Sequence, residues 1–206
     1  MTTNVFSILL IFIFFFSITE ISHTQEKKKV PIPTLFNTGV DNNYLPLNDG
    51  ETDPHYILAL SADASFPGPD TKVVLSSEGL MDCCWMKNDS KSKWIAPRAD
   101  AMGFNAAGFY VYSLSFSLYG FKPETAIIRG FWTSDNNGQE IMINQKPLGF
   151  ITPYTAFNSG FYPFEINEGF VEGINTILFA VNNGEAPTGL RVIISGEAEP
   201  KDVAGK

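Results

Sequence analysis

Aromatic side chains set beside hydrogen-bonding ones are the chemistry this sequence offers most clearly. Tyr44 follows Asp41, Asn42 and Asn43; Trp85 lies near Lys87, Asn88 and Asp89; Tyr154 and Phe157 share the segment Thr152 to Gly160 with Asn158. A flat ring packs on the C–H face of a pyranose, and neighbouring amides, carboxylates or guanidinium groups bond its hydroxyls. All three groups sit among turn-forming residues, where side chains are exposed more often than in strands. Arg98 and Asp100 could add polar contacts, although a surface ion pair between them is the plainer reading. Trp94 and Trp132 lie in strand-like stretches and belong in a core. Non-catalytic binding of a glycan or polysaccharide needs no more than these groups.

Catalysis needs more. Asp53 precedes His55 by two residues, but a Ser/His/Asp arrangement would also require a serine in a Gly-x-Ser-x-Gly elbow, which is absent. Asp53-Pro54-His55-Tyr56 reads more simply as a turn entering a strand, with Asp53 capping local amides. No Asp or Glu stands in a context that singles out a carboxylate pair, so a small extracellular hydrolase is kept as an alternative without a named site. Phosphate-cradling and zinc motifs are absent. The two cysteines, Cys83 and Cys84, are adjacent. Neighbouring residues rarely reach disulfide geometry, so two partly buried free thiols beside Trp85 are expected, with a redox or metal role as the alternative.

These side chains must be positioned by a chain of 206 residues with 22 acidic and 14 basic side chains, a net charge of −8. The acidic balance excludes nucleic acid as a partner and disfavours an anionic membrane surface. Residues 5–18 form an apolar run of signal-peptide length, which predicts a leader over 1–24 and a secreted or cell-surface protein with no membrane contact once the leader is removed. Residues 25–35, with Lys27-Lys28-Lys29, Pro31 and Pro33, read as a solvated linker. The domain is expected over 36–198, with a short tail over 199–206.

Within that domain, Tyr110, Tyr112, Leu114, Phe116 and Leu118 alternate with serines, the period of a half-buried antiparallel strand. Segments 125–133 and 139–144 flank Ser134-Asp135-Asn136-Asn137-Gly138 and predict a hairpin; segments 175–181 and 189–195 flank Asn182-Asn183-Gly184 and predict a second. Further strands are expected at 55–60, 72–76, 93–95 and 161–166. About nine short strands between turn clusters, without crossover helices, define an all-β antiparallel sandwich or jelly roll.

Several pieces carry a resemblance: Phe36-Asn37-Thr38-Gly39-Val40-Asp41, Asp53-Pro54-His55-Tyr56, Trp94-Ile95-Ala96-Pro97, Phe131 to Asn136, Gly169 to Thr176 and Pro187 to Val192. In this order and spacing they resemble a family of exported bacterial modules with a galactose-binding-domain-like β-sandwich, found in extracellular and cell-surface proteins. The resemblance implies the fold; function lives in sites grafted on it. It also implies that a structural calcium could be held, for which Asp41, Asn43, Asp49 and Asp53 offer hard oxygens, although turn-forming residues explain the same letters. No other cofactor is implied. Asn88-Asp89-Ser90 fits the N-glycosylation pattern. The functional expectation is a secreted glycan-binding module. A structural or adhesive protein contacting other envelope proteins is the alternative.

Overall fold

A computed structural model of the chain describes residues 28–202; the expected leader lies outside the described residues. Eleven strands form: β1 (Val30–Pro31), β2 (Thr52–Leu60), β3 (Asp70–Val73), β4 (Ile95–Ala96), β5 (Gly108–Ser117), β6 (Ile127–Asp135), β7 (Asn137–Ile143), β8 (Lys146–Pro147), β9 (Tyr162–Ile166), β10 (Ile174–Asn183) and β11 (Gly189–Ala198). Two four-residue helices, α1 (Leu80–Cys83) and α2 (Ala156–Ser159), interrupt the loops. The strands pair in the order β8-β7-β10-β5-β2-β3-β4-β11-β6-β9, with β1 on β11. Every pairing is antiparallel. The sheet curls on itself, so β8-β7-β10-β5-β2 and β11-β6-β9 face one another as the two layers of an all-β sandwich.

The sequence pattern decides which faces meet. On β5 the alternation holds: Tyr110, Tyr112, Leu114 and Phe116 point into the core and Ser115 faces out. Across the sandwich, Trp132 of β6 lies 5.8 Å from Phe179 of β10, and Phe164 of β9 lies 5.9 Å from the same ring. Trp94 and Trp132 are fully buried, as their strand context required. Gly138 marks the tightest approach, for a Cβ there would lie 2.1 Å from the Trp132 ring.

Each of the nine expected strands overlaps an observed one; the two additional strands, β1 and β8, are two residues long. The stretch read as a solvated linker is partly built into the domain. Val30 pairs with Ala198 and Pro31 with Glu197, and Ile32 and Leu35 are buried in the core. The missing N–H of Pro31 is tolerated because β1 is an edge strand.

Neither expected hairpin forms. β6 pairs with β11 and β9, whereas β7 pairs with β10 and β8, so the chain between them passes from one layer to the other. β10 and β11 are likewise in opposite layers. Asn, Asp and Gly report that the chain reverses; the partners of the flanking strands decide whether the reversal is a hairpin or an arch. Here the two arches lie side by side at one end of the sandwich. Gly184 N–H donates to Asn136 Oδ1 at 2.6 Å, and Thr188 Oγ1 donates to the Asp135 carbonyl at 2.6 Å.

Candidate binding cleft

The arches form one wall of a cleft of about 350 Å³. The opposite wall begins with α1, where Leu80 and Met81 anchor the turn in a small core with Trp94 and Trp85. The Trp85 N–H donates to the Leu80 carbonyl at 2.7 Å, and its ring packs on Trp94 with centroids 4.4 Å apart. The chain after α1 is fastened to α2 by Met86 N–H donating to the Phe157 carbonyl at 2.9 Å. Cys83, Cys84, Trp85 and Phe157 thereby face Asp135 and Asn136 of the first arch and Glu185 and Pro187 of the second, with Met102 closing a side.

Cys83 and Cys84 are joined in a disulfide, correcting the expectation of free thiols. Both residues are exposed, so the pair presents an apolar sulfur surface at the lip of the cleft. Geometry that is rare between neighbours is met here by the irregular backbone where α1 ends, Cys84 having left helical conformation.

Asp135 is the chemically distinctive group. The residue is 5% exposed; its Oδ2 accepts the Trp85 indole N–H at 2.6 Å, and its buried Oδ1 has no hydrogen-bond partner. Burial outweighs the indole hydrogen bond and pushes its pKa up from 3.8 to about 7. Glu185, also on this cleft, is exposed. The arrangement combines a sulfur and aromatic wall with carboxyl and amide groups opposite, and it is suited to a ligand with one apolar and one hydroxylated face.

Of the residues singled out in the sequence, Trp85 and Phe157 meet in this cleft, although Trp85 is buried at 3% exposure rather than displayed on a loop. The Tyr154 hydroxyl stands beside the second arch, where a Cβ on Gly184 would come within 2.7 Å of it. Asn158 is exposed on α2. Asn88 is used structurally: its Oδ1 accepts the Trp94 N–H at 2.8 Å and its Nδ2 is buried, so the glycosylation pattern does not present a free amide. Tyr44 does not line the cleft; it stacks on Phe36 and donates to the Pro33 carbonyl at 2.7 Å. Arg98 pairs with Asp100 at 2.6 Å and lies over the Phe66 ring, the ion pair that the plainer reading expected.

Three of the four side chains expected to hold calcium, Asp41, Asp49 and Asp53, accept from backbone amides, and Asp49 also from a lysine. Asp41 accepts from Asn43 and Leu45, Asp49 from Ser76 and the Lys93 ammonium, and Asp53 from Gly39, His55 and Tyr56, while Asn43 is exposed. Among the described residues, no group of three or more His, Cys, Asp or Glu side chains converges to hold a metal ion. Asp135, Asn136, Glu185 and Met102 were not legible as site residues. For Asp135 and Asn136 the one signal is an acid and an amide at the end of the strand-like run that forms β6.

A second groove of about 420 Å³ runs over the outer face of β6 and β9, beside half-exposed Phe131. Its two charged groups satisfy each other, Arg129 bonding Glu165 at 2.7 Å.

Among solved structures the chain is similar to TmCBM61 in complex with β-1,4-galactotriose, at 17% sequence identity and a TM-score of 0.39, over 73% of this chain and 92% of that one. No family model matches the chain, and no curated protein matches it.

Proposed function

We propose that this protein is an exported, non-catalytic glycan-binding module whose cleft between α1, α2 and the two arches holds a sugar. The observation that carries the reading is the cleft in which the exposed Cys83–Cys84 disulfide and the part-exposed Phe157 ring face the exposed Glu185 of the second arch. A sugar hydroxyl donates to Glu185 at the rim, while its C–H face lies on sulfur and the Phe157 ring. Export is supported by the apolar run at residues 5–18.

Calorimetric titration and affinity electrophoresis against a polysaccharide panel test the reading. Wild-type protein is retained by at least one polysaccharide, Phe157→Ala weakens the retention about tenfold or more, and Phe131→Ala on the outer groove leaves it unchanged. A folded protein retained by no polysaccharide, or one sensitive to Phe131→Ala but not to Phe157→Ala, overturns it.

One observation favours hydrolysis as a second reading: a carboxyl protonated near neutral pH shares the cleft with the exposed carboxylate Glu185. Release of reducing ends from a retained polysaccharide, lost in Asp135→Asn and in Glu185→Gln, would establish it in place of simple binding.

A further inference from the structure

The walls of the cleft are charged with one sign only. Asp135 and Glu185 carry its ionisable groups, and among the described residues no Lys, Arg or His lines it. Asp82, adjacent to the disulfide, is also acidic, and Lys87 nearby is held by it at 3.7 Å. The chain as a whole carries a net charge of −8.

We infer, on the footing of the glycan-binding reading above, that this cleft takes an uncharged sugar and turns away its uronate counterpart. A sugar carboxylate entering here gives up water and meets the disulfide and Phe157 on one side, the exposed Glu185 and the partly ionised Asp135 on the other. Nothing in the walls replaces the lost hydration with a positive charge, so the anion is disfavoured by desolvation and by like-charge repulsion together. A neutral hydroxymethyl group in the same position loses little hydration and can donate to the exposed Glu185. The burial that holds Asp135 largely protonated at acidic pH and half protonated near neutrality adds to this preference, for such a carboxyl is itself adapted to a neutral partner.

The test uses matched β-1,4 backbones that differ only in oxidation at C6: mannan against polymannuronate, and glucan against polyglucuronate. For whichever backbone the wild-type protein retains, the uronate member binds at least about tenfold more weakly at low salt. Raising salt from about 20 to about 500 mM narrows the gap by screening the exposed Glu185. Glu185→Lys, at an exposed position where folding is not at stake, narrows it further by strengthening uronate binding. Equal or tighter binding of the uronate, or a gap indifferent to Glu185→Lys, overturns the charge selection while leaving glycan binding intact. Retention of neither member of any pair, nor of any other polysaccharide of the panel, overturns both readings.

Discussion

The Trp85 indole N–H donates to Asp135 Oδ2 at 2.6 Å, tying the chain that follows α1 to the arch that carries β6 into the opposite layer. This bond leaves the carboxyl buried with one oxygen unpartnered, and burial holds its pKa at about 7, above the ordinary 3.8. Between those two values the folded chain keeps a proton that the unfolded chain releases. Through this group, stability is therefore greatest below about pH 4, falls as pH rises and is fully reduced above about pH 7. Asp135→Asn removes the titration while retaining an oxygen for the indole. Its stability relative to wild type should rise between pH 4 and pH 8, by up to about 4 kcal/mol at about 1.4 kcal/mol per tenfold change. Urea denaturation at both pH values measures the difference; parallel behaviour of the two proteins would refute the buried-acid account.

The two layers are locked closest where Gly138 of β7 faces Trp132 of β6. A methyl group on Gly138 would sit 2.1 Å from the indole ring, and neither side can retreat. Trp132 is fully buried, and the Gly138 N–H is fixed by donation to Thr152 Oγ1 at 2.7 Å. Gly138→Ala should cost about 1–3 kcal/mol or more through overpacking, lowering the urea midpoint without changing the slope. A midpoint equal to wild type would show that the layers are less tightly apposed than this contact requires.

Much of the fold was legible because burial follows period two: the inward set Tyr110, Tyr112, Leu114 and Phe116 needed only alternation to be read. Which layer each strand joins was not. Ser134 to Gly138 and Asn182 to Gly184 favour chain reversal, and local residue chemistry does not distinguish a hairpin from an arch, since only the long-range pairing of β6 with β11 and of β7 with β10 makes that choice. The same ambiguity concealed the cleft. Trp85 and Phe157 stood out as aromatic residues among polar ones, while Asp135 and Asn136 carried letters already explained by a turn. Cys83 and Cys84 were judged by average neighbour geometry, and the irregular end of α1 departs from that average.

The disulfide at the lip of the cleft separates a binding role from a stabilising one. A bridge between adjacent residues closes so small a loop that it restricts the unfolded chain little, contributing about 1 kcal/mol or less by loop-closure entropy. Its exposed sulfurs nevertheless form part of the wall shared with Trp85 and Phe157. Replacing both residues, Cys83→Ala with Cys84→Ala, should therefore leave the urea midpoint nearly unchanged and weaken retention on the polysaccharide that wild type binds by about three- to tenfold. Reducing the wild-type bridge with a phosphine should shift binding in the same direction, because two separated thiols no longer present one rigid apolar surface. If binding is untouched by both treatments while the fold persists, the sulfur wall is not a contact surface. If binding and stability fall together, the bridge acts by holding α1 and Trp85 in place.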